Sequence, residues 1–340
     1  MQRNIIFIII IALTIAVLSL AGCGGGDGGS SPAVASTTVS KGVVTAVGSI
    51  VVNGLTYNID NAAIKLDGLP GSASALQPGM VVTVKGVFDN RTSHTFQRTA
   101  TSVEFADNLE GPVDYVNTFS LSLLVMGQPV LITTGTPPNK TVFVGFDNLS
   151  SLKPQIDTVQ DPPALTGLSI VEVSGFPNGI NGFQATRIVR KGLQAVAPTS
   201  PLPIEIKGAI SALDQAGGTF NIGALAVDYS AVNPIFLPNP LRNGLFVEVQ
   251  GLLSDYTTGS APTLLAAVVK TVKEGITADE GSHVAVEGFV SGLAGNSFTI
   301  EGTSVDAGAL SLAEVANAVK VRVEGIFSNG VVKASKITLL

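Results

Sequence analysis

The chain has 340 residues, 38 of them Gly, with 45% hydrophobic and only 13% charged residues. That balance excludes a charged disordered chain and leaves room for several small domains rich in turns. A net charge of −6, from 19 basic and 25 acidic residues, lacks the basic footprint of a nucleic-acid binder, so no nucleic-acid partner is expected.

Met1, Gln2 and Arg3 make a short positive start, and residues 5–18 are apolar apart from Thr14. Leu20, Ala21, Gly22 and Cys23 follow. This stretch resembles a lipobox, the recognition motif of bacterial prolipoproteins, in which small residues admit the peptidase and the thiol is alkylated. The resemblance implies that residues 1–22 are a lipoprotein signal peptide and that lipid on Cys23 reaches the membrane. An uncleaved anchor over residues 5–22 is the competing reading, at the lower edge of spanning length. Cys23 is the only cysteine, so no intramolecular disulfide forms. Residues 23–40 begin with a Gly-rich run and read as a flexible tether. Gly24, rather than Asp, follows Cys23, and by the same resemblance this implies the outer membrane.

Four segments then alternate apolar and polar residues and run into a glycine. They are VTVKG ending at Gly86, VEVSG at Gly175, VEVQG at Gly251 and VRVEG at Gly325. The period of two marks half-buried strands. Upstream lie matching openings: KGVVTAV from Lys41, EGPVDYV from Glu110, KGAISAL from Lys207 and EGFVSGL from Glu287. A hairpin falls between each opening and its anchor, signalled most strongly at Asn53-Gly54. After each anchor comes a last strand, such as TATSVEF from Thr99 or KASKITLL from Lys333.

Each unit thus offers about five strands, and closing them removes exposed sheet edges. The expected fold is all-β: tandem five-stranded OB-like barrels over residues 41–109, 110–193, 204–276 and 283–340. In the last unit, Ser311 and Glu314 make a capping-box pattern. The Ala and Leu around them predict a short helix over 309–319. One larger sandwich of hairpins is the alternative architecture. The Pro-rich residues 195–203, and residues 277–282, read as linkers.

The openings, the V-x-V-x-G anchors and the lipobox together resemble a family of bacterial lipoproteins carrying tandem OB-like domains of unknown function, the domain-of-unknown-function family numbered 5666. The likeness covers nearly all of the exported chain and is weakest in the second unit. It implies a fold and a location but no activity.

Little in the chain carries catalytic chemistry. There is no G-x-S-x-G elbow and no phosphate-binding loop. His94 and His283 lie in different units without partners at metal-ligand spacing. No catalytic residue, metal or cofactor is assigned. Arg187, Arg190 and Lys191 read as a solvated strand end. The second unit carries a long insertion over residues 134–168, and such loops are often functional. Its Phe143 and Phe146 are candidate contacts for an envelope protein or glycan partner; an extra strand over 141–146 packed on the barrel is the competing reading. The chain is therefore expected to be a membrane-anchored envelope lipoprotein, a non-catalytic binding or assembly module whose tandem copies suit avidity. The alternatives are a cell-surface glycan-acting enzyme and a carrier of a small ligand in a barrel mouth.

Overall fold

The computed structural model describes residues 36–89, 97–136, 139–157, 159, 164–178, 182–195 and 201–340. Leu20, Ala21, Gly22, Cys23 and His94 lie outside the described residues. No helix among the described residues is long and apolar enough to cross a membrane.

The described chain is all-β, and one circuit of strands recurs four times. In barrel 1 the opening strand Ser36–Ala46 pairs with Ile50–Val52, which pairs with Leu55–Asn58. Leu55–Asn58 runs parallel to the last strand Gln97–Phe105, which pairs with the anchor strand Val81–Asp89. The anchor strand then closes on the opening strand. Barrel 2 repeats the circuit with Leu109–Asn117, Ser122–Val125, Gln128–Ile132, Phe183–Ala195 and Ala164–Pro177. Barrel 3 does so with Pro203–Ala209 continuing into Ser211–Asp214, then Thr219–Ile222, Leu225–Asp228, Thr263–Thr271 and Phe246–Thr257. Barrel 4 uses His283–Ala294, Ser297–Ile300, Thr303–Asp306, Val331–Leu339 and Lys320–Ser328. This closed order, with the third strand parallel to the fifth, replaces the sandwich alternative and leaves few open edges.

Both repeated glycines have a steric cause. At Gly86, Gly175, Gly251 and Gly325 the pairing with the last strand slips register, which is a β-bulge. The bulge brings the neighbouring strand's backbone onto the glycine. A Cβ at Gly86 would strike the Thr99 carbonyl, one at Gly175 that of Gln184, and one at Gly325 that of Lys333. The opening glycines seat the hairpin instead: a Cβ at Gly42, Gly111 or Gly208 would strike the side chain of Asn53, Met126 or Ile222. Gly325→Ala is accordingly expected to destabilise the protein by roughly 1–3 kcal/mol, the usual cost of overpacking a site that cannot relax. Thermal unfolding of the variant checks this, and an unchanged midpoint would show that the bulge yields freely.

Two expectations are corrected. Residues 309–319 form successive turns, not a helix, with Leu310 N bonded to Ala307 O and Val315 N to Leu312 O. A helix this short is marginal without tertiary support. The segment is instead pinned by Asn317, whose Oδ1 accepts from Leu293 N at 3.0 Å, and by Ala318 at φ 64°. Short 3-10 turns do precede the anchor strand in barrels 1 to 3, at Ala73–Ala75, Leu149–Leu152 and Pro234–Phe236. Residues 36–40, assigned to the tether, are strand. Thr38, Val39 and Ser40 are buried there, because this stretch is covered from both sides.

That double burial comes from how the barrels join. The opening strands of barrels 1 and 4 pair in parallel, Thr38 to Lys41 against His283 to Val286. Those of barrels 2 and 3 pair antiparallel, at Glu205 with Glu110 and Ile206 with Leu109. Val44 packs in the core of barrel 1 while Val39, on the other face, packs in that of barrel 4. The Asn53-Gly54 turn forms as predicted, at φ 56° and 75°. It also bridges the pair, since Asn53 Nδ2 donates to Lys41 O and Ala285 O, each at 3.0 Å. Barrel 1 meets barrel 2 through Val81 N donating to Ser174 Oγ at 2.9 Å and Thr186 Oγ1 donating to Gly79 O at 2.6 Å.

Candidate functional site

The insertion of barrel 2 spends its aromatic residues on the barrel. Val142–Val144 adds as a strand parallel to Phe183–Ala195. Phe143 and Phe146 stack on one another, centroids 4.8 Å apart, and pack against the buried core. Both remain half-buried, and their packing follows the reading of residues 141–146 as an extra strand on the barrel. In the basic cluster Arg187 departs from the solvated strand end expected of it, while Lys191 is exposed. Arg187 is buried and donates through Nη1 to Pro78 O of barrel 1 at 3.1 Å, while Lys191 pairs with Glu172 at 2.7 Å and Glu110 at 3.4 Å.

Where barrels 2 and 3 join, strand register sets Glu172 opposite Glu110 and Glu110 opposite Glu205. Like charges directly opposite are destabilising, so this row needs cations. Lys191 serves one end. Lys207 serves the other, donating through Nζ to Asp107 O at 2.8 Å, Asp107 Oδ1 at 3.1 Å and Glu205 Oε1 at 2.8 Å. Gln250 Nε2 bridges Glu205 and Glu248, and Lys270 pairs with Glu248 at 2.6 Å. Burial pushes the Asp107 carboxyl well above the usual carboxylate range, against the pull of Lys207. Burial also acts upward on Glu205, but a hydrogen bond from Asp107 and the Lys207 ammonium together hold it below its ordinary value. Oxygens of Asp67, Asp107 and Glu205, and of Asp107, Glu110 and Glu172, converge closely enough to hold a cation. The lysine ammoniums already take that electrostatic role.

A signal for this seam stood in the repeats. The charged residue before each opening glycine is ion-paired in all four barrels. Lys41 meets Glu301 at 3.1 Å, Glu110 meets Lys191, Lys207 meets Asp107, and Glu287 meets Lys320 at 2.7 Å.

A different chemistry lies between barrels 1 and 4, in a cavity of about 520 Å³. Thr38, Ser40 and Tyr57 of barrel 1 contribute hydroxyls to its lining, and Leu55 and Ile326 contribute apolar surface. Ser40 Oγ and Tyr57 Oη share a hydrogen bond of 2.9 Å. Thr38 Oγ1 is buried and has no hydrogen-bond partner. At the rim the Arg98 guanidinium sits 5.2 Å from the centroid of the Phe88 ring, and the His283 ring meets Phe88 edge-on at 6.3 Å. Among the described residues, no carboxylate pairs with Arg98. The sequence had set His283 aside as a histidine without ligand partners; its place on this rim depends on the pairing of two opening strands far apart in the chain.

Residues 41–104 and 287–338 match the family described as Domain of unknown function (DUF5666). The matched stretches fall in barrels 1 and 4, the pair that encloses this cavity. No curated protein matches the chain, and no solved structure matches it.

Proposed function

We propose that this chain, which carries two DUF5666 domains, is a lipid-anchored envelope protein that binds its ligand without converting it. The observation that carries the reading is the cavity between the two matched domains. Its volume of about 520 Å³, its mixed apolar and hydroxyl lining and its rim cation suit a small molecule. The catalytic alternative has less support. Glycoside hydrolysis takes two carboxyl groups flanking an open cleft. Here the clustered carboxylates of Asp107, Glu110, Glu172, Glu205 and Glu248 are held by lysines or Gln250 within a strand seam. The lipobox supplies the location: cleavage before Cys23, lipid on its thiol, and retention at the outer membrane. The fused opening strands then present four barrels as an assembly surface for an envelope protein or glycan.

The test is native mass spectrometry of the protein purified from its own membrane. A small co-purifying mass, released chemically unchanged on denaturation, is the expected result. Turnover of many equivalents of envelope glycan into fragments by the same preparation would overturn the reading.

A further inference from the structure

We propose that the cavity between barrels 1 and 4 takes a small amphipathic anion, an apolar body ending in one carboxylate or sulfonate-like group. The inference rests on the binding reading above and names the ligand class for it.

Three features specify that class. The first is the rim cation, which pairs with no carboxylate among the described residues. Arg98 is directed by its contact with Phe88, an arrangement that holds a guanidinium in place and leaves its donors open. The carboxylate on the opposite wall, Glu324, is already engaged by Arg322 at 3.8 Å and Lys336 at 3.5 Å, so it opposes an incoming anion less. The second is the buried Thr38 hydroxyl. A polar atom removed from water without a partner carries a free-energy cost, and a polar atom of a ligand in the cavity would relieve it. The Ser40 and Tyr57 hydroxyls beside it can each donate or accept. The third is the apolar wall of Leu55 and Ile326, both half-buried, which suits a hydrocarbon or aromatic body. A single rim arginine fits one negative charge and not a polyphosphate.

The neighbouring cavity of about 420 Å³, where all four barrels contribute lining, does not compete. Its Lys41, Lys85, Lys207 and Lys273 share the lining with Glu104, Asp107, Glu274 and Glu301, so it offers an anion no net positive charge, and Lys41 and Lys207 are themselves paired with Glu301 and Asp107.

The experiment is isothermal titration of the full detergent-solubilised chain with naphthalene-2-sulfonate and with its neutral isostere naphthalene-2-sulfonamide, subtracting a detergent blank. One sulfonate per chain is expected, bound roughly tenfold more tightly than the sulfonamide, as a charge-assisted contact to arginine warrants. Arg98→Gln, a change at the rim outside both cores, should erase that preference and leave sulfonamide binding intact. Leu55→Trp, checked for an unchanged melting midpoint, should block both probes. Equal affinity for the two probes, or a preference that survives Arg98→Gln, overturns the proposal. So does the absence of binding by either probe, while a co-purified neutral ligand would leave the broader binding function standing.

Discussion

Lys207→Met is expected to lower stability by about 3–5 kcal/mol at neutral pH, the cost of breaking a buried ion pair from one side. Lys207 is 7% exposed, and its ammonium is the common partner of Asp107 and Glu205. Burial alone would lower its pKa, but those two carboxylates raise it above its ordinary value of 10.5. Its contribution is therefore complete below that value and fades as pH rises through the folded value. Asp107 behaves oppositely to a paired surface carboxylate. Its raised pKa means that the folded state holds a proton the unfolded chain releases, so stability falls as pH rises from 3.8 through the folded value. Glu205, held low, contributes stability above 4.5 that is lost as pH falls through its folded value. In the variant both carboxylates lose the ammonium and rise together. The deficit against wild type should then be largest at neutral pH and above, and shrink on acidification toward pH ~5 as they take up protons. Thermal unfolding of both proteins at the two pH values measures this. An equal deficit at both would show that the ammonium acts by packing and hydrogen bonding rather than by charge.

Cys23→Ala is expected to abolish acylation completely and to leave residues 1–22 attached. The thiol is the chain's only acceptor of this kind, and the lipobox reading makes acylation the step that licenses cleavage. Each buried CH₂ of an acyl chain contributes about 0.8 kcal/mol, and stable anchoring takes more than one chain, so the modification decides how the mature protein is held. Cell fractionation is the wrong measurement, because a retained apolar segment over residues 5–18 would keep the precursor at the membrane. Mass spectrometry of the N-terminus separates the cases. A wild-type mature chain with an unmodified Cys23 would reject the lipid anchor.

Much of the barrel was legible in the chain because its signals are local. Period-two alternation into Gly86, Gly175, Gly251 and Gly325 marks the anchor strands, and Asn53-Gly54 marks a turn that needs two left-handed residues. The glycines repeat because a bulge and a hairpin turn press on them in every unit, and steric need of that kind is written at one position. The helix expected over residues 309–319 failed for the same reason that local signals succeed elsewhere. Propensity is a weak local preference, and here contacts from Asn317 to Leu293 overrode it.

What the tertiary structure alone decided is everything that depends on distant strands sharing an edge. Nothing near Val39 says that its neighbour is the core of barrel 4. The carboxylate seam gathers Glu172, Glu205 and Glu248 from separate strands and Asp107 from a loop, and the cavity joins Thr38 and Arg98 to His283. The sequence by itself determined four alternating units and their glycine positions, since each is a property of a short window. Which opening strands pair, and so which charges and hydroxyls are brought together, follows from burying the faces that one closed barrel leaves apolar, a requirement that no single window contains.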